Sequence, residues 1–441
     1  YASDTVIPML PHKLSNGICS LNPGVERLAQ SCIIEIDKNG NILNYSINRS
    51  VIKSRIQMTY KKVNNIWIDN SIDIEFMKEL TFTVNPNIVK VNEEGIITAL
   101  KYGSTRIEVT SNETGDTATV LVKVVATGIC GSDLPRVHNN GAHNYPIILG
   151  HEFSGYVAEI GEGVTSVAKD DHVVGIPLVP CMECEDCKAG NYSLCKHYSF
   201  VGSRQNGSMA EYVLLPESNV MKIDKAIPYE VAAFFEPSTV AIHALYQADY
   251  KDGGTVAVLG GGNIGLFTLQ WVKIFGAKKV VVIDIDHDRL KDSVDLGADA
   301  VVALCDEDYK DQLNKLTDGR GFDYVFVSTG STDAMKLAFD IAGNKAHLCF
   351  IGTPTKEMTF SVKEWENMNR KEFYLTGSWM SYSKPFPGKE WEMTDKHFAI
   401  GDLKVTDSMI FAQYPLDKTM EAFNLFTVPG KVKGKVQIID K

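Results

Sequence analysis

The run Thr255-Val256-Ala257-Val258-Leu259 leads directly into Gly260-Gly261-Gly262-Asn263-Ile264-Gly265 and then into LFTLQWVKIF. A short apolar strand, a glycine turn and a helix in that order open a βαβ unit, so the chain is expected to build an α/β, doubly wound parallel sheet. Gly260, Gly262 and Gly265 permit the tight turn, the close approach of backbone to a pyrophosphate, and helix–sheet packing. Asn263 and Ile264 begin the helix, whose first amides suit an anion. The following run KKVVVIDID carries Asp284, 19 residues beyond Gly265. A carboxylate there accepts hydrogen bonds from an adenosine ribose and repels a 2′-phosphate, which favours NAD over NADP. Asp286 is a less well placed alternative.

Nine cysteines are present, and four of them, Cys181, Cys184, Cys187 and Cys195, fall inside fifteen residues. An odd, bunched set reads as metal binding rather than as a disulfide framework. The spacing Cys-x2-Cys-x2-Cys-x7-Cys supplies four thiolates, enough to close a tetrahedral Zn²⁺ shell with no open position, and a closed shell is structural. Cys305 and Cys349 lie in the apolar runs VVALC and AHLCF and are expected to be core thiols.

Charge and asparagine divide the chain near residue 125. The first 125 residues hold thirteen cations and thirteen anions, so the whole net charge of −11 belongs to the remainder; asparagine numbers thirteen before that point and twelve after it. An acidic larger part argues against a nucleic-acid partner. No apolar stretch approaches the length of a membrane span and no secretory signal pattern is visible, so a cytoplasmic protein is expected. Residues 1–66 contain an alternation at Ile34-Glu35-Ile36 before Lys38-Asn39-Gly40-Asn41 that predicts a β-hairpin. The runs PMLPHKLSNGICSLNP and SVIKSRIQMTYKKVN resemble part of the catalytic domain of RNase II/RNase R-type exoribonucleases. That resemblance implies metal-bound aspartates upstream of the motif, and only Asp4 stands there in this sequence, so nuclease activity is not expected. Residues 67–124 change to short β-type runs, LTFTV, IVKVN, GIITAL, STRIEVTS and TATVLVKV, separated by turn signals. They resemble the second half of a bacterial Ig-like domain, which implies a packing or adhesion module.

From about Val125 the sequence, through ATGICGSD, GHE, the four-cysteine loop, FFEPS and the Gly260 loop, resembles the zinc-dependent medium-chain dehydrogenase/reductases. The resemblance implies a GroES-like β-rich catalytic domain at 125–240 and 381–441, with a zinc lobe at 178–197, and a Rossmann domain at 241–380. The family's first hairpin is missing, and the Ig-like strand TVLVKV stands where the family has a similar strand. Matching positions imply a catalytic Zn²⁺ surrounded by Cys130, His151 and Glu236 or Glu152, with one position left for water or substrate. They imply that Asp133 orients His151 and that Ser132 begins proton transfer to solvent, while the usual relay histidine is replaced by Pro135. The cofactors implied are one catalytic and one structural zinc, and NAD. NGAHNYPIILGHEFSG, YSFVGSRQNGSMAEY and GSWMSYSKPFPGKEWE narrow the resemblance to the galactitol-1-phosphate 5-dehydrogenases, implying a polyol or polyol phosphate oxidised to the ketose. Arg204, Lys384 and Lys389 are the cations in those stretches that could meet a phosphate. A sorbitol- or threonine-type dehydrogenase, or a catalytically silent mosaic of binding modules, are the alternative readings. The family implies a homodimer formed through the Rossmann sheet.

Overall fold

The computed structural model describes residues 118–441 apart from Asn140, Asn144, Asp286, Pro429 and Lys441, together with the backbone of six strands between residues 26 and 111. Two compact units divide at Asp116/Thr117. In the first, Glu26–Ile36 pairs antiparallel with Ile42–Lys53, from Glu26 opposite Lys53 to Ile36 opposite Ile42. The expected hairpin is thus present as a longer ladder than its sequence signal. The turn at 38–41 lies outside the described residues. Leu80–Thr83 pairs with Glu108–Ser111 and Val89–Val91 with Ile97–Ala99, both antiparallel.

The fifth β-type run belongs to the second unit. Thr119–Gly128 is one continuous strand that crosses the boundary drawn after residue 124. Val120, Val122, Val124 and Ala126 are all buried, the period of two that fixes which face meets the core. The strand pairs along its length with Glu152–Ile160. On its other edge it pairs first with Tyr212–Pro216 and then with Lys435–Ile439. These strands belong to a seven-stranded sheet whose main path runs Val220–Lys222, His172–Gly175, Glu152–Ile160, Thr119–Gly128, Lys435–Ile439, Ile410–Tyr414. The C-terminal end of Thr119–Gly128 therefore delivers Cys130 next to the N-terminal end of Glu152–Ile160, where His151 and Glu152 lie.

The second sheet has six parallel strands in the order Ala300–Ala303, Lys279–Asp284, Thr255–Leu259, Phe322–Val327, Ala342–Phe350, Tyr374–Gly377. Its strands are apolar on both faces because both are covered. Val256, Val258, Val280, Val282 and Phe326 share a core with Leu245, Phe267, Trp271 and Phe398, from the helices Phe235–Gln247, Asn263–Ile274 and Lys389–Ala399. Ala257, Leu259, Val281, Ile283, Val325 and Val327 share another with Leu313, Met335 and Phe339, from Tyr309–Leu316 and Thr332–Ile341. Strand order reverses between Thr255–Leu259 and Phe322–Val327, and the crevice at the carboxyl ends of such strands is where ligands bind in this architecture. No helix among the described residues is long and apolar enough to cross a membrane.

Candidate active site

Cys130 precedes a single 3-10 turn, Gly131–Asp133, that folds its own cap: the Cys130 amide donates to Asp133 Oδ2 at 3.1 Å and the Ser132 amide to Cys130 Sγ at 3.5 Å. That turn aims the fully buried Asp133 at His151, with Oδ1 3.5 Å from the imidazole Nδ1. Burial works against the aspartate's charge, but His151, the Cys130 amide and Arg136 together hold its pKa below the ordinary value. Burial also opposes a charged His151, yet the Asp133 carboxylate outweighs it and raises the imidazole's pKa well above the usual range. His151 itself is set by a backbone crossing. Gly150 has φ +97°, and a Cβ on Gly207 would stand 2.2 Å from the Gly150 carbonyl oxygen. Three amides, of Gly207, Ser208 and Met209, tie that crossing to the carbonyls of Ile148, Gly150 and Leu149.

Ligand atoms of Cys130, His151 and Glu152 lie within 4.8 Å of one another. His151 Nδ1 faces the Asp133 carboxylate at 3.5 Å, too long for a well-formed hydrogen bond. One sulfur, one imidazole nitrogen and one carboxylate oxygen are a donor set that suits Zn²⁺ with a position left open. Glu236, in the first turn of Phe235–Gln247, falls outside this close group, so of the two glutamates weighed from sequence the geometry gathers Glu152. Glu236 nonetheless feels the group: burial, with the Glu152 carboxylate adding to it, pushes its carboxyl up to about 7 against the pull of His151 and Lys435. Ser132 is exposed, and its Oγ accepts from Arg136 Nη1 at 3.2 Å.

Two residues of this site carry no sequence signal of their own. Arg136 bridges Ser132 Oγ and, at 3.1 Å, Asp133 Oδ1. Lys435 is buried with its ammonium 2.5 Å from Glu152 Oε2 and 3.4 Å from the Ile129 carbonyl. Although burial lowers a lysine's pKa, the Glu152 and Cys130 charges raise that of Lys435 above its ordinary value. It lies some 280 residues from its partner in sequence and reaches it only because Lys435–Ile439 pairs with Thr119–Gly128.

The four-cysteine loop converges as its spacing implied. All four sulfurs lie within 4.8 Å of one another, with Cys181 Sγ 3.4 Å from Cys195 Sγ and 3.9 Å from Cys187 Sγ. Four sulfurs at about 2.3 Å from a tetrahedral Zn²⁺ would be roughly 3.8 Å apart, so the present packing fits that ion. The amides of Glu183 and Cys184 bring the Cys181 thiol down to about 6, whereas burial pushes Cys187 up to about 12. A bound Zn²⁺ would supply positive charge that favours the thiolate form of the lobe.

At the glycine turn, Gly260 has φ +109° and a Cβ on Gly265 would sit 1.8 Å from the Gly260 carbonyl oxygen. Gly262 caps the helix Asn263–Ile274, so Asn263, Ile264 and Gly265 present its first amides to the crevice. Asp284 ends its strand and accepts from the Gly261 amide at 2.6 Å, bringing the carboxylate alongside the turn. Asp286 lies outside the described residues. Of the cations named from sequence, Lys384 reaches the Lys188 carbonyl in the thiolate lobe, and Lys389 sits 3.7 Å over the Tyr246 ring. Arg204 lies in the loop after Phe200, whose ring packs edge-on to His151 at 5.6 Å. Cys349 is a buried core thiol pushed up to about 12 by burial. Cys305 is a correction: the strand Ala300–Ala303 ends two residues earlier, and the thiol is exposed.

Residues 116–225 match the alcohol dehydrogenase GroES-like domain family and residues 263–396 the zinc-binding dehydrogenase family; residues 1–85 match the RNB domain, 19 positions beyond the limit drawn at 66. Galactitol 1-phosphate 5-dehydrogenase of Escherichia coli strain K12 is 39% identical over 277 residues, which cover 63% of this chain and 80% of that protein. D-arabitol-phosphate dehydrogenase of Enterococcus avium is 33% identical over 72% of this chain and 89% of its own length. The crystal structure of galactitol-1-phosphate dehydrogenase from Escherichia coli superposes with a TM-score of 0.70 at 34% identity, covering 76% of this chain and 97% of that one. With a donor set that fits catalytic zinc, a closed thiolate lobe and a dinucleotide turn all on one unit of this fold, the chain belongs to the zinc-binding alcohol dehydrogenase family and is an NAD-dependent alcohol or polyol dehydrogenase.

Proposed function

We propose that the chain oxidises a secondary alcohol of a polyol phosphate, galactitol 1-phosphate to tagatose 6-phosphate, with NAD as hydride acceptor. The observation that carries this reading is the convergence of Cys130, His151 and Glu152 on one open-sided cluster, in a chain whose relatives above are named for polyol phosphates. A Zn²⁺ held by Cys130, His151 and Glu152, with Glu236 beside them, would act as a Lewis acid that lowers the pKa of the substrate hydroxyl. Asp133 fixes the orientation of His151 and increases its basicity as a ligand. Lys435 neutralises Glu152, so that the site does not gather two uncompensated carboxylates. Ser132 stands at the exposed edge, where the hydroxyl proton can pass to solvent. NAD would supply the hydride acceptor; Gly260–Gly265 would seat its pyrophosphate and Asp284 would receive its ribose hydroxyls. Arg204, on the loop that places Phe200 against His151, is the cation assigned to the phosphate.

An NAD-coupled absorbance screen of polyols and their phosphates tests the assignment. Galactitol 1-phosphate should be used with a kcat/KM at least about tenfold above galactitol, and Arg204→Met should raise KM for the phosphate with little change for the free polyol. Equal use of phosphorylated and free polyols would refute the phosphate reading. The strand Tyr374–Gly377 is one of the two edges of the six-stranded sheet, with Tyr374 and Leu375 exposed, and we assign the homodimer contact to it. The β-type segment ahead of Thr117 is assigned a packing role.

A further inference from the structure

We propose that His287, Cys305 and Asp306 form a third divalent-cation site, on the outer rim of the six-stranded sheet and separate from both zinc centres described above. Their ligand atoms lie within 4.8 Å of one another. His287 Nε2 is 2.9 Å from Asp306 Oδ1, and Cys305 Sγ is 3.9 Å from the same oxygen. Two neighbouring parallel strands bring the three together. Asp284 is in register with Ala303, and the Leu304 amide donates to the Asp284 carbonyl at 2.8 Å. The chain after Asp284 thus turns into the 3-10 segment His287–Leu290 beside the chain that carries Cys305 and Asp306.

A surface ion pair joins the histidine and the aspartate, and Cys305, the residue before Asp306, adds a thiol within reach of the same carboxylate oxygen. Imidazole, thiolate and carboxylate together are the donor types of a borderline-soft ion of the zinc class, and they discriminate against Mg²⁺ and Ca²⁺, which prefer oxygen. The ionised thiol and carboxylate balance the charge of one divalent cation, while neutral His287 completes three ligands. His287 and Cys305 are exposed and Asp306 partly so, which leaves the remaining position to water. The bound ion would cross-link the loops at the ends of two strands that are otherwise joined there by backbone hydrogen bonds.

The test is a calorimetric titration of the zinc-loaded holoenzyme with Zn²⁺. The parent should take up one equivalent more than Cys305→Ser or His287→Ala, whose affinity for that equivalent should be weaker by at least about 100-fold. The same titration with Cd²⁺ should give a thiolate-to-metal ultraviolet absorbance in the parent that Cys305→Ser lacks. Both variants should keep the parent's dehydrogenase activity, which shows that they fold. Equal uptake by the parent and Cys305→Ser, or an added Cd²⁺ equivalent without the thiolate absorbance, would overturn the proposal.

Discussion

Lys435 shows how one buried charge is made tolerable. Its ammonium and the Glu152 carboxylate are both out of water, and neither could be kept there alone, because a lone buried ion loses its hydration without a partner. Replacing Lys435 with Met should therefore destabilise the second unit by about 3–5 kcal/mol in denaturant unfolding, and Glu152→Gln in the same chain should restore part of that loss. An additive double variant would mean that the two charges do not compensate each other. Asp284 acts through a different balance. Its carboxylate sits against the Gly261 amide at the mouth of the turn, where it would meet either a ribose hydroxyl or a 2′-phosphate. Asp284→Ser should raise kcat/KM with NADP and lower it with NAD, and steady-state kinetics with both nucleotides would read the change. Unaltered selectivity would remove Asp284 from that role.

At the level of elements, the parts legible in sequence were those whose chemistry is local. The strand–turn–helix around Gly260, the thiolate spacing from Cys181 to Cys195 and the hairpin near Ile36 each carry their signal within a few residues. The Glu152–Lys435 pair was not legible, since it depends on two distant strands lying on the same edge of Thr119–Gly128. Cys305 was misread because an apolar run does not reveal where its strand stops. The choice between Glu152 and Glu236 was equally out of reach, because a helix start and a strand start meet there only in space. The crossing at Gly150, which sets His151, has no local sequence signal either. A Cβ on Gly207 would collide with the Gly150 carbonyl and lie 2.5 Å from Gly202 Cα. Gly207→Ala should push the 149–151 segment aside, at a cost of about 1–3 kcal/mol, and reduce metal binding at Cys130 and His151 while leaving the four-thiolate lobe loaded. Full zinc content and full activity in that variant would show that the crossing can relax without moving His151.

For the molecule as a whole, the unit Thr117–Lys441 carries every group that the dehydrogenase reading uses, and its first strand is the run that sequence assigned to the preceding β module. Family membership rests on this unit, whereas the RNB-like segment is a separate match at residues 1–85. Because Thr119–Gly128 pairs on both edges, Cys130 is delivered to His151 and Glu152 instead of being left on a loose leader. The central claim is that this delivery creates a catalytic metal site distinct from the thiolate lobe. The most direct measurement is the zinc content and NAD-linked activity of the parent and of Cys130→Ser, purified in parallel without added metal, with NADH binding followed by fluorescence. The parent should hold two zinc ions per chain and oxidise galactitol 1-phosphate; Cys130→Ser should hold one, lose activity by orders of magnitude and still bind NADH. Retained activity in Cys130→Ser, or an inactive parent holding a single zinc, would contradict the account.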